Sequence, residues 1–113
     1  MKNPNIKSML IIIFGSLFLS QASISAEKNL QKCREFSRIG LHLPAIEQCQ
    51  KAMRDGVNRE AELELLYYLA NSYSSINKNK LAKEAITKLL NASPSISAND
   101  YYLAGLIEIK LNN

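Results

Sequence analysis

Few side chains in this sequence are able to do chemistry. Cys33 and Cys49 are the only two cysteines, and the single histidine, His42, lies between them. Two sulfurs and one histidine fall short of the four ligands of a usual structural zinc site. A nucleophilic thiol needs a nearby base and a group that orients it, and no such residues are spaced around either cysteine. The pattern therefore predicts neither a metal centre nor a catalytic thiol.

His42 and a short acidic run have structural explanations. His42 lies in "GLHLP", a predicted turn, where a neutral histidine facing solvent is the usual case. Glu60, Glu62 and Glu64 alternate around a predicted helix start, where negative charge complements the helix dipole. The sequence contains no glycine-rich phosphate loop and no nucleophile elbow. We therefore predict no enzymatic activity and no cofactor.

The start of the chain has the three parts of a secretory signal peptide. Lys2 and Lys7 precede an apolar stretch of about 11 residues from Met9 to Leu19, and small residues follow. An uncleaved membrane anchor needs about 20 apolar residues. We therefore expect a signal peptide over residues 1–26, with Ala22 as the alternative last residue.

Export implies a periplasmic or secreted protein with no membrane span after cleavage. Residues 27–113 form one small domain, near the lower size limit for an adequate hydrophobic core. The two leader lysines account for part of the net charge of +4, which leaves 12 Lys and Arg against 10 Asp and Glu. These charges are interspersed, whereas proteins that bind nucleic acid cluster their cations. A nucleic-acid partner is not expected.

Apolar residues recur at helical spacing from Asn58 onward, and no alternation typical of a strand competes. One stripe consists of Leu63, Leu66, Leu69, Ala70 and Tyr73. The next consists of Ala82, Ala85, Ile86, Leu89 and Leu90. Asn58 suits the start of the first helix, Ser93 and Pro94 the end of the second, and Ser97 with Asp100 a capping box for a third. The sequence thus predicts an all-α fold.

The segment "YYLA" occurs at residues 67–70 and again at 101–104, an interval of 34 residues. Around the first copy, seven residues lie at a defined spacing from one another: Leu66, Leu69, Ala70, Tyr73, Ala82, Ile86 and Pro94. This pattern resembles the tetratricopeptide repeat, a helix–turn–helix unit of 34 residues. The chain has Leu for the first aromatic residue, Ala for Gly and Ile for Phe, and these changes preserve the packing.

An earlier, more divergent unit precedes this one by 37 positions and matches it at Cys33, Phe36, Ala45, Cys49 and Ala52. The resemblance implies stacked antiparallel helical hairpins, a short α-solenoid of about five helices. The first hairpin spans about 28–55, the second 58–93, and a final single helix 97–111. Gly56 is expected to end the second helix, and Pro44 to lie in its first turn.

The resemblance also implies the pairing of the cysteines. In its register Cys33 and Cys49 occupy facing positions of the first hairpin, and an exported chain meets an oxidising environment. A disulfide between them is therefore expected, with a pair of buried free thiols as the alternative.

In tetratricopeptide proteins the first helix of each hairpin lines a concave groove that receives an extended peptide or a helix of a partner. Carried over by position, the groove residues are Arg34, Arg38, Tyr67, Asn71, Ser74, Tyr101 and Glu108. Tyr68 and Tyr102 are expected to pack between neighbouring helices. The resemblance thus implies a non-catalytic scaffold or adaptor that binds a protein or peptide.

Two alternatives remain open. Leu106, Ile107, Ile109 and Leu111 form an apolar stripe on the last helix that no later helix covers, which favours a self-associating component of an envelope complex. The second alternative is a disulfide-containing Sel1-like repeat protein with an inhibitory or host-directed role, although the chain lacks the usual glycines of that family.

Overall fold

The structure, a computed structural model, describes residues 24–113, and within them the fold is all-α with no strand. The described part of α1 covers residues 24–38. The other helices are α2 (His42–Asp55), α3 (Arg59–Ser75), α4 (Asn79–Ala92) and α5 (Ala98–Leu111). The predicted signal peptide lies outside the described residues, apart from residues 24–26. Ala26 is buried in α1, so cleavage after Ala22 would preserve this contact and cleavage after Ala26 would remove it.

The predicted helix boundaries have local causes. Asn58 caps α3 through its side-chain oxygen, which accepts a hydrogen bond from the backbone N–H of Ala61 at 2.9 Å. Ser97 and Asp100 form the predicted capping box of α5, with reciprocal bonds of 3.2 Å. Gly56 follows α2 with a φ of 87°, a left-handed conformation that glycine adopts without steric cost. These predictions are confirmed.

The first two helices form an antiparallel hairpin. At one end the Asn29 side chain donates to the Asp55 carboxylate at 2.8 Å. Farther along, the sulfurs of Cys33 and Cys49 lie at disulfide-bonding distance, with Cα atoms 5.0 Å apart. That separation falls within the range found for disulfides. Both cysteines are fully buried, as the predicted facing positions require.

The second hairpin and α5 continue the same antiparallel arrangement. Arg59, which begins α3, donates to the backbone carbonyl of Ala92 at the end of α4 at 2.8 Å. Lys83 near the start of α4 pairs with Glu108 near the end of α5 at 2.9 Å. Each helix therefore runs opposite to the one before it, and α5 packs mainly on α4.

The stack consequently has two distinct ends. The His42 ring nitrogen Nδ1 lies 3.4 Å from the Ser72 hydroxyl, and the Lys110 ammonium donates to the Ser74 carbonyl at 2.7 Å. These contacts bring together the α1–α2 turn, the α3–α4 turn and the end of α5, which we call the turn end. The opposite end carries the α2–α3 and α4–α5 connections.

One hydrophobic core runs through all five described helices. Its members from the first hairpin are Leu30, Cys33, Ile46, Cys49 and Ala52. Those from α3 and α4 are Leu65, Leu66, Leu69, Ala70, Ala82, Ala85, Ile86 and Leu89. Leu103 and Ile107 complete it from α5. The small residues Cys33, Ala70 and Ala82 are fully buried in this core.

Three expectations for individual side chains are wrong. Of the predicted uncovered stripe on α5, Ile107 is fully buried and Leu111 packs half-buried against the core, because both lie at four-residue spacing from Leu103 on the face that packs on the core. Tyr102 is 70% exposed, because it lies on the outer face and does not pack between helices. His42 is half-buried at the first residue of α2 beside Ser72, so it is not a solvent-facing turn residue.

Candidate functional site

A cleft between α1 and α3 is the best candidate for a binding site. It has a volume of about 460 Å³. Its wall consists of Arg34, Glu35, Ser37, Arg38, Tyr67, Tyr68 and Asn71. We call it the α1–α3 cleft. It is a shallow surface between the first and the second hairpin.

An aromatic pair forms the centre of this surface. The rings of Tyr67 and Tyr68 meet edge to face, with centroids 6.1 Å apart and planes at 75°. Both tyrosines also line a second cleft of about 340 Å³, which reaches Asn99 and Asp100 at the start of α5. The Tyr67–Tyr68 pair thus separates two neighbouring depressions that lie along successive hairpins.

Arg34 joins the two hairpins through a bidentate ion pair. Its Nε atom lies 2.5 Å from Oε1 of Glu64, and its Nη2 atom lies 2.7 Å from Oε2. The Tyr68 hydroxyl donates to Oε1 of Glu64 at 3.2 Å. These three side chains connect α1 to α3 beside the cleft and hold Tyr68 in a fixed position.

The electrostatics of this triad follow from the same contacts. The hydrogen bond from Arg34 lowers the pKa of Glu64 and outweighs the opposing effect of burial. Burial, followed by the negative charge of Glu64, raises the pKa of Tyr68. Glu64 is therefore ionised and Tyr68 neutral at neutral pH, so Arg34 is neutralised by its partner and contributes little net charge to the cleft.

The groups left to contact a ligand are Arg38, Asn71, Tyr67 and the carboxylate of Glu35. Arg38 is exposed and forms no ion pair with the residues from 24 onward that the structure describes. Asn71 carries an amide that is both donor and acceptor. The Ser37 hydroxyl is buried without a hydrogen-bond partner in the described part of the chain, so it lies beneath the cleft surface and out of reach of a ligand in this conformation.

The structure brings four of the seven predicted groove residues together in this cleft: Arg34, Arg38, Tyr67 and Asn71. Ser74 is only 4% exposed, because it lies on a side of α3 that packs against neighbouring helices. Glu108 pairs with Lys83 and so lies toward α4. Tyr101 is 60% exposed on α5 but does not line either cleft.

Sequence reasoning missed three residues that line the cleft, Glu35, Ser37 and Tyr68, and also the neighbouring Glu64. Glu64 was interpreted only as part of a helix start, yet it is the partner of Arg34 across 30 positions of sequence. Tyr68 was assigned to packing, and it also lines both clefts. Ser37 carries no sequence signal. A pair that is distant in sequence depends on the stacking of the hairpins, which periodicity alone does not specify.

No group of three or more metal-ligating side chains occurs among residues 24–113. In the same residues no helix combines the length and the apolar character that crossing a bilayer requires. Comparisons with known protein families, with curated proteins and with solved structures found no match.

Proposed function

We propose that this chain is an exported, non-catalytic interaction module that resembles tetratricopeptide proteins and binds a segment of a partner protein in the α1–α3 cleft. One observation carries the proposal: Arg34, Arg38, Tyr67 and Asn71, which the repeat register assigns to a groove, line a single cleft. Export would place this module in the periplasm or outside the cell.

The chemistry of the cleft favours an extended peptide that carries a carboxylate. Arg38 supplies an unneutralised guanidinium, which binds carboxylates through two parallel hydrogen bonds. Asn71 pairs with a peptide amide, and Tyr67 offers a rigid aromatic surface with few rotatable bonds. The Arg34–Glu64 pair has no net charge and Glu35 adds one carboxylate to the wall, so Arg38 is the one group of the cleft that attracts an acidic residue of a partner.

Affinity capture from the native envelope tests this function. The processed chain, the double variant Arg38→Ala plus Asn71→Ala, and a control variant Thr87→Ala plus Lys88→Ala serve as baits. The control residues are exposed on α4, away from the α1–α3 cleft. We expect the wild type and the control to retain the same partner and the cleft variant to lose at least 90% of it, because each cleft substitution removes about 1–3 kcal/mol of polar contact.

Circular dichroism of all three baits verifies that the substitutions leave the fold intact. Equal capture by the wild type and the cleft variant would refute the proposal. A partner lost only from the α4 variant would also refute it, because the binding surface would then lie on another face.

The outer face of α5 favours homo-oligomerisation as a second candidate function. Tyr102 is 70% exposed, Leu106 36% and Ile109 61%, and their spacing of four and three residues puts them on one stripe. Light scattering on the purified chain should then give a dimer or larger species, and Leu106→Ser plus Ile109→Ser should return it to a monomer. A wild-type chain that stays monomeric at high concentration excludes this candidate.

A further inference from the structure

The turn end of the stack exposes three large aliphatic side chains within five residues. Ile39 is 61% exposed, Leu41 47% and Leu43 67%. All three belong to the α1–α2 turn or to the first residues of α2. They contribute little to the hydrophobic core, so the stability of the stack does not account for them.

Cations lie at the same end of the stack as this apolar group. The turn end is formed by residues 38–43, 76–81 and 109–113, which contain Arg38, Lys78, Lys80 and Lys110 and no Asp or Glu. Lys78, Lys80 and Lys110 line one shallow cleft of about 440 Å³ together with Leu81 and Leu111. Leu81 is itself 40% exposed and extends the apolar surface toward α4.

The opposite end has a different charge. Residues 54–62 and 97–100 contain four carboxylates, Asp55, Glu60, Glu62 and Asp100, against two arginines. The carboxylates nearest to the turn end are Glu35, Glu47, Glu84 and Glu108, and two of them are paired. Glu47 bonds Lys51 at 3.2 Å, and Glu108 bonds Lys83 at 2.9 Å. The molecule therefore has a cationic end and an acidic end.

We propose that the turn end docks on an anionic lipid bilayer surface. Exposed aliphatic side chains that share one end of a molecule with lysine and arginine are typical of proteins at the membrane interface, where aliphatic side chains enter the acyl boundary and cations contact headgroups. Ile39, Leu41 and Leu43 enter the bilayer, while Lys78 and Lys80 bind phosphate groups. The acidic end then faces away from the membrane.

This docking surface is separate from the peptide site. Only Arg38 belongs to both, so the variants used here leave Arg38 unchanged. Loss of lipid docking and loss of partner capture can therefore be measured independently, and failure of one proposal does not entail failure of the other.

Hydrogen exchange of the full chain in the presence of vesicles tests the docking. In an unprocessed chain the apolar stretch from Met9 to Leu19 partitions into vesicles by itself. Total binding is therefore a poor readout, and local protection is required. With vesicles of phosphatidylglycerol and phosphatidylcholine we expect exchange to slow at least tenfold in residues 39–43. Residues 55–58 should be unchanged, and vesicles of pure phosphatidylcholine should give little protection.

Two variants and a control complete the test. Ile39→Ser plus Leu43→Ser and, separately, Lys78→Gln plus Lys80→Gln should each reduce the local protection at least tenfold. Tyr101→Ser plus Tyr102→Ser, an equally exposed pair near the start of α5, should not change it. Raising the salt concentration should weaken docking, since the headgroup contacts are screened.

Several outcomes overturn the proposal. These are protection of residues 55–58 in place of 39–43, equal protection on neutral vesicles, and an unchanged signal in both turn-end variants. Protection of residues 39–43 that grows with protein concentration in the absence of lipid would show that a second copy covers this surface, and would also reject docking on a membrane.

Discussion

At the scale of single residues, the Arg34–Glu64 pair links the two hairpins beside the candidate site. The bidentate geometry and the hydrogen bond from Tyr68 lower the pKa of Glu64. The side chains of Arg34 and Glu64 remain 42% and 31% exposed, so solvent screens part of their attraction. The pair therefore has a modest effect on stability. It also shapes the cleft wall, because it joins α1 to α3.

Glu64→Gln should lower the free energy of unfolding by about 1 kcal/mol at pH 7. The folded-state pKa of Glu64 lies below its ordinary value of 4.5, so the stabilisation is complete above that value and disappears as the pH falls through the folded-state pKa. Urea unfolding of the wild type and of Glu64→Gln, at pH 7 and at acidic pH, measures this difference in the free energy of unfolding. A difference that persists unchanged in acid would contradict this, and Glu84→Gln, an exposed control on α4, should have little effect at either pH.

A disulfide between Cys33 and Cys49 stabilises the fold more than the Arg34–Glu64 pair does, because it restricts the unfolded chain. Cys33 and Cys49 are separated by 16 residues, and closing a loop of this size stabilises by roughly 3 kcal/mol in the chain-entropy account. We expect reductant to lower the denaturation midpoint of the wild type toward that of Cys33→Ala plus Cys49→Ala, and to leave the variant unchanged. Alkylation of the unfolded, unreduced wild type with no thiol labelled would identify the bridge, whereas two labelled thiols would contradict it.

At the scale of the helices, the sequence was sufficient for the boundaries whose causes are local. Asn58, Ser97 and Gly56 act within a few residues of their own position, so their roles could be predicted from sequence. The orientation of α5 could not be predicted from sequence. Leu103 and Ile107 face the core, while Leu106 and Ile109 lie on the outer face, and both pairs have helical spacing. Because α5 is apolar on both faces, only its packing against α4 distinguishes them.

The two faces of α5 should therefore respond differently to truncation. Ile107→Ala removes fully buried methyl groups and should reduce the free energy of unfolding by about 2–5 kcal/mol, whereas Ile109→Ala, at a side chain 61% exposed, should change it by less than about 0.5 kcal/mol. Thermal or urea unfolding of the monomer measures the loss for each variant. Equal losses for the two variants would mean that both faces are covered.

At the scale of the whole molecule, the stacked hairpins leave two surfaces with different chemistry. The α1–α3 cleft combines aromatic and amide groups with one free guanidinium and the Glu35 carboxylate, and the turn end combines aliphatic side chains with ammonium groups. Four cleft residues could be assigned from the repeat register. The positions of Ser74 and Glu108 could not be predicted from it. The burial of Ser74 and the ion pair of Glu108 with Lys83 depend on how neighbouring helices meet.

Site-specific photo-crosslinking in the native cell tests the central claim, that the α1–α3 cleft holds a partner. A photoreactive amino acid replaces Asn71 in the cleft, Thr87 on the exposed face of α4, or Leu106 on the outer face of α5. We predict a crosslinked partner from position 71 that disappears when Arg38→Ala is added, and none from position 87. Crosslinks from position 106 or 87 without any from 71 would contradict binding in the cleft.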